Sequence, residues 1–215
     1  MNNDIFDEIT RFGVIPVIAI DSVDDALPLA DALLEGGLPV VEITFRTDAA
    51  PDVIQRLSEE RKELLIGAGT ILTPENAEKA KRLGATFAVA PGLNPAVVKK
   101  AQEVDLPFAP GFATATDIEN ALALGCWTLK FFPSEALGGI KMLKALSGPY
   151  GHTGVRFVPT GGVKADNLAD YITTPSVVAV GGTWLATKAD IAEGRWKEIS
   201  KRAAEAVEIV EHARG

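Results

Sequence analysis

Short apolar, β-branched runs alternate with amphipathic helical patterns eight times along these 215 residues, and that alternation limits the folds open to the chain. The patterning predicts strands at Val14–Ile20, Val40–Arg46, Leu64–Thr70, Thr86–Ala90, Phe108–Phe112, Thr128–Phe132, Arg156–Thr160 and Val177–Gly181. Between them lie helical stretches such as Asp24–Glu35, Pro51–Arg61, Pro74–Leu83, Pro95–Val104 and Thr116–Leu124. Pro51, Pro74 and Pro95 stand where a first helical turn tolerates proline, and Thr73 and Asn94 precede two of them as caps. Gly36-Gly37, Gly84 and Gly125 fall just past helix ends, where left-handed C-caps favour glycine. Eight βα units in about 200 residues fit a (β/α)8 TIM barrel of the α/β class, with a doubly wound open sheet as the alternative. An extra N-terminal helix, Asp4–Phe12, precedes the first strand, and Glu198–Ala213 closes the chain. With no linker or low-complexity tract, one domain is expected over 1–215: residues 1–13 as the added helix and 14–215 as the barrel.

The sixth strand contains the residue that says most about chemistry. Lys130 interrupts the apolar, aromatic run Cys126-Trp127-Thr128-Leu129-Lys130-Phe131-Phe132-Pro133. A buried ammonium is costly, so it must find a counter-ion or give up its proton. As a free amine in an apolar pocket it is a nucleophile toward carbonyls; as a strand-end lysine it would merely extend to solvent.

Other polar residues fall on the same side of the barrel. In Val40–Arg46, Glu42, Thr44 and Arg46 share one face, and Val41, Ile43 and Phe45 the other. The apolar set should face the helices, which leaves a carboxylate and a guanidinium inside, where chemistry collects at strand C-termini. A structural Glu–Arg pair is the alternative. Strands three to five end in Gly67-Ala68-Gly69-Thr70, Ala90-Pro91-Gly92 and Pro110-Gly111-Phe112, a series that suggests backbone opened for close approach of a ligand. The last two strands end in Thr160-Gly161-Gly162 and Gly181-Gly182-Thr183, at the position where many barrels bind phosphate through backbone N–H groups. An anionic small-molecule ligand follows.

Composition narrows the classes further. The net charge of −8 lacks the basic footprint that nucleic acid or an anionic membrane surface requires. No apolar run approaches a membrane span, and the N-terminus shows no signal-peptide pattern. The lone Cys126 forbids an intrachain disulfide and fits a reducing cytoplasm, and it reads as a core residue rather than a nucleophile. The only histidines, His152 and His212, lack ligand spacing, so no metal is expected.

Taken in order, Glu42-x-x-x-Arg46, Gly67-Ala68-Gly69-Thr70, Pro91-Gly92, Lys130-Phe131-Phe132-Pro133, Thr160-Gly161-Gly162 and Gly181-Gly182-Thr183 resemble the class I aldolases for 2-keto-3-deoxy-6-phosphogluconate (KDPG), a family that includes 4-hydroxy-2-oxoglutarate and galactonate-series aldolases. The resemblance spans nearly the whole chain. It implies that Lys130 forms a Schiff base with the 2-keto group and that Glu42 is the general acid–base. It further implies that Arg46 and Thr70 hold the pyruvyl carboxylate and that Pro91 and Phe132 wall the pocket. Thr160, Gly161, Gly162, Gly181, Gly182 and Thr183 would hold the distal groups and phosphate, with Thr183 where the family often carries serine. The implied partner is a 2-keto acid sugar phosphate, the assembly a homotrimer, and no cofactor is needed because the lysine is the electron sink. On physical grounds Arg46 near Lys130, together with desolvation, is expected to disfavour the ammonium and supply the free amine. The alternatives are a C4-epimeric aldolase, a phosphosugar epimerase or isomerase, which needs no imine lysine, and a sugar-phosphate sensor without activity.

Overall fold

The computed structural model describes residues 5–215, and in it eight strands close into a parallel barrel. They are β1 (Val14–Ile18), β2 (Val40–Thr44), β3 (Leu65–Gly69), β4 (Phe87–Val89), β5, β6 (Thr128–Phe131), β7 (Arg156–Pro159) and β8 (Val180–Gly182). Strand β5 is split into Phe108–Ala109 and Gly111–Phe112. Every pairing is parallel, from Val17 opposite Glu42 through Gly111 opposite Lys130 to Leu129 opposite Phe157. The seam closes where β8 pairs with β1, Val14 opposite Val180, and bridges join Phe157 to Val177 and Thr160 to Gly181. That closure excludes the open sheet.

Most strands end one or two residues earlier than the apolar runs suggest. Strand β2 stops at Thr44 rather than Arg46, because Arg46 N–H turns back to the Thr44 carbonyl at 2.7 Å. Pro110 has no N–H to give the ladder and breaks β5, while its carbonyl still accepts from Lys130 N–H at 2.9 Å. The last strand starts at Val180, not Val177, which makes only the single bridge to Phe157.

Helices α1 (Ile5–Phe12), α2 (Ala26–Glu35), α3 (Ala50–Glu60), α4 (Pro74–Arg82), α5 (Pro95–Glu103) and α6 (Ala115–Ala123) come first, then α7 (Gly139–Ser147), α8 (Ala165–Ile172), α9 (Lys188–Ala192) and α10 (Trp196–Arg214). The expected start of the first helix, Asp4, lies outside the described residues. Phe6 of α1 is buried edge-on to Phe87 at the start of β4, so α1 packs at the N-terminal end of the barrel. Thr73 and Asn94 cap α4 and α5 through their side-chain oxygens. Gly37, Gly84 and Gly125 have positive φ, but Gly36 does not. A Cβ on Gly36 would lie 2.5 Å from the Ser200 carbonyl oxygen, so close packing of α2 against α10 demands that glycine. No helix among the described residues is long and apolar enough to cross a membrane.

One buried carboxylate organises the segment after β8. Asp190, 2 % exposed, accepts from Arg195 and Arg202 and from the Thr187 hydroxyl, and Arg202 also reaches the Trp184 carbonyl at 3.3 Å. These bonds, led by Arg202, hold its carboxyl well below the usual carboxylate range against the opposing effect of burial. A depressed folded-state value means that this stabilisation is complete above the unfolded value near 3.8 and is lost as pH falls below it. Asp190→Asn is therefore expected to cost about 1–3 kcal/mol at pH 7. Urea unfolding of both proteins should show the difference shrinking below pH 4; a gap that stays constant would contradict this.

Candidate active site

The two charged groups singled out on β2 and β6 meet in the barrel. Lys130 Nζ donates to the Glu42 carboxylate at 3.0 Å (Oε1) and 3.3 Å (Oε2), with Glu42 2 % and Lys130 5 % exposed. The alternation along β2 turns Glu42 inward, and a neighbour makes room for it. A Cβ on Gly69 would lie 2.2 Å from Glu42 Oε1, so the glycine at the end of β3 admits the carboxylate itself. Arg46, expected near Lys130, lines the same cavity, but sequence reasoning missed that Glu42 is the group in contact with the amine. Arg46 stands at the exposed rim and donates its Nε to Thr44 Oγ1 at 3.1 Å, while the Thr44 hydroxyl donates to the Ile18 carbonyl at 2.9 Å. The charge in contact with the amine is the Glu42 carboxylate. No acidic side chain among the described residues pairs with Arg46, so its terminal nitrogens remain free for an anion.

Glu42, Arg46, Thr70, Pro91, Lys130, Phe132, Thr160, Gly161 and Thr183 line one cavity. Glu42, Lys130 and Thr160 form its buried floor, and Arg46, Pro91 and Thr183 its exposed rim. Phe132 places its ring centroid 5.9 Å from Lys130 Nζ. Thr70 adopts φ 60°, a left-handed conformation that a β-branched residue holds at a cost of about 1–3 kcal/mol. The cavity volume is about 210 Å³. At roughly 30 Å³ of liquid per water molecule this is room for at least about seven waters, enough for a three-carbon keto acid such as pyruvate. Anything longer must leave over the rim. A more open groove adjoins it there, sharing Val17, Arg46 and Thr183 and adding Thr187 and Lys188.

Gly162, Gly181 and Gly182 do not line the cavity. Each has a packing reason to be glycine: a Cβ would meet Glu135 Cβ at 2.5 Å, Thr160 Oγ1 at 2.3 Å and the Trp184 ring at 2.1 Å, respectively. Two further residues line the cavity that the sequence did not single out as binding substrate, Val17 and Thr44. Val17 is indistinguishable from its apolar neighbours in β1, whereas Thr44 already showed on the inward face of β2. Cys126 is buried, and burial pushes its thiol up to about 11.

The model of the KDPG and KHG aldolase family matches residues 5–202. The chain belongs to this family. It is 46 % identical over 206 residues to the 2-dehydro-3-deoxy-phosphogluconate aldolase of Haemophilus influenzae, covering 96 % of each chain. With the KHG/KDPG aldolase of Escherichia coli it shares 40 % identity over 200 residues, 93 % of each. Among solved structures it is similar to the KDPG aldolase of Legionella pneumophila with pyruvate captured at low pH as a covalent carbinolamine intermediate. That match has a TM-score of 0.88 and 38 % identity, over 93 % of this chain and 96 % of the other. A carbinolamine is the adduct that precedes a Schiff base, so an amine nucleophile operates in that member of the KDPG and KHG aldolases.

Proposed function

We infer that the chain is a class I aldolase, a carbon–carbon lyase that cleaves 2-dehydro-3-deoxy-6-phosphogluconate to pyruvate and glyceraldehyde 3-phosphate. The observation that carries the assignment of roles is the buried Lys130–Glu42 contact at the floor of a pyruvate-sized cavity. In this reading Glu42 takes a proton from the Lys130 ammonium along their hydrogen bond, and the freed amine attacks the 2-keto carbon. The protonated Glu42 returns its proton to the carbinolamine hydroxyl, which leaves as water and yields the iminium. Glu42, again a carboxylate, removes the C4 hydroxyl proton, directly or through one water. The electrons of the C3–C4 bond move into the iminium, and the aldehyde departs. Protonation of the enamine at C3 and hydrolysis of the imine release pyruvate and regenerate the amine.

Arg46 and Thr70 hold the carboxylate of the pyruvyl part, and Pro91 and Phe132 confine it. The rest of the substrate extends past Thr160, Gly161 and Thr183, with the backbone of Gly162, Gly181 and Gly182 receiving the phosphate. Cleavage of 4-hydroxy-2-oxoglutarate to pyruvate and glyoxylate is a second activity of the same machinery. The family likeness also supports a homotrimer, checked by sedimentation, and a cytoplasmic setting.

Pyruvate release from a panel of 2-keto-4-hydroxy acids tests the function. The gluconate-series phosphate is expected to give the highest kcat/KM, ahead of its C4 epimer, the unphosphorylated acids and 4-hydroxy-2-oxoglutarate. Release of no pyruvate from any of them would overturn the aldolase assignment.

A further inference from the structure

The turn after β6, which carries Phe132, is tied to the turn after β7 by main-chain bonds. Ser134 N–H donates to the Thr160 carbonyl at 2.8 Å and Glu135 N–H to the Gly161 carbonyl at 3.0 Å. A second, side-chain tie crosses beneath them. The Tyr171 hydroxyl, on α8 and fully buried, shares a 2.8 Å hydrogen bond with the equally buried Ser134 hydroxyl and donates a short one to Glu135 Oε1. The aliphatic part of Glu135 lies over Gly162, whose added Cβ would meet Glu135 Cβ and Cγ at 2.5 and 2.6 Å. Its Oε1 is directed instead to Tyr171 and Gly139, whose added Cβ would lie 2.9 Å from that oxygen. An exposed acidic residue thus sits on the turn assigned above to the anionic end of the substrate, with its carboxylate drawn down into the fold.

We propose that Tyr171 is a positioning residue that pins the Glu135 carboxylate away from the Gly161–Gly162 turn and so keeps that turn open to an anion. This rests on the aldolase reading. Burial, reinforced by the bond to Glu135, pushes the Tyr171 hydroxyl up to about 12, so it stays a donor at any pH where the enzyme works. Released from Tyr171, the carboxylate can rotate over the turn, where an unscreened like charge opposes the phosphate by roughly tenfold in affinity.

The test compares KDPG with its unphosphorylated counterpart in wild type, Tyr171→Phe, Glu135→Gln and the double variant. Tyr171→Phe is expected to raise KM for the phosphorylated acid about tenfold. KM for the unphosphorylated acid and kcat for both should stay within about threefold. Adding Glu135→Gln should bring KM for the phosphorylated acid back to within about threefold of wild type, because the tie is still broken but the charge is gone. An equal rise on both acids, or no rescue by Glu135→Gln, would overturn the proposal and make the tie purely structural. No change in Tyr171→Phe would also overturn it. Should Tyr171→Phe fail to fold, Glu135→Gln alone decides. It is expected to leave KM for the phosphorylated acid unchanged or lower, and a tenfold rise would mean that Glu135 serves only as a staple. Wild type is the control: it must release pyruvate from KDPG at a lower KM than from the unphosphorylated acid. Failure there removes the aldolase reading and this proposal together, whereas failure in the variants removes this proposal alone.

Discussion

Lys130→Arg is expected to lower aldol cleavage by on the order of 10⁵-fold or more, the scale of losing a covalent nucleophile. A guanidinium keeps its proton at any accessible pH and cannot attack the ketone. The substitution is chosen because Glu42 is buried against Lys130 and needs a cation beside it. Lys130→Ala would leave that carboxylate without a counter-ion, at about 3–5 kcal/mol, and would confuse lost folding with lost chemistry. Lys130→Arg should unfold cooperatively in urea while releasing no measurable pyruvate. Activity within tenfold of wild type would show that the reaction does not pass through an imine on this lysine.

The second large effect belongs to Glu42→Gln. Glutamine keeps the size of the side chain, and its amide oxygen can still accept from Lys130 Nζ, but it cannot take up the proton. In the proposed mechanism the same carboxylate serves the activation of the amine, the departure of water and the removal of the C4 proton, so each step should slow. A fall in kcat of about 10²–10⁴-fold is expected, measured by steady-state pyruvate release. KM should move far less, because in the proposed reading Arg46 and the glycine turns still hold both anionic ends of the substrate. Near-normal kcat would reduce Glu42 to the counter-ion of Lys130, and the protons would then travel through water or the substrate's phosphate.

The order of elements and the inward face of β2 were legible because a period of two sorts Glu42, Thr44 and Arg46 from Val41, Ile43 and Phe45 before any contact is known. Lys130 stood out for the same local reason, as a charge in an apolar strand. Its counter-ion did not. Glu42 lies 88 residues away, and which interior side chains meet depends on the stagger of strands across a closed barrel. Arg46, on the same face of the run, drew attention as the charge near the amine, but β2 ends at Thr44 and the guanidinium lies at the exposed rim. The glycines were visible as a pattern, yet the reason for each is a contact between elements: Gly69 with Glu42, Gly181 with Thr160, Gly162 with Glu135. Tyr171 was hidden for the opposite reason, since a buried aromatic on a helix reads as core until its hydroxyl is seen to reach Ser134 and Glu135.

Reduction with borohydride in the presence of pyruvate tests the central claim most directly. Pyruvate lacks the bond to be cleaved, so only imine formation is measured, and hydride converts the imine into a stable secondary amine. The wild-type enzyme should lose activity irreversibly with pyruvate and borohydride together and retain it with borohydride alone. Peptide mass mapping should find the adduct on Lys130, and Glu42→Gln should still form it, though more slowly. An adduct on another lysine, or inactivation without any adduct, would contradict the assignment of Lys130 as the Schiff-base residue.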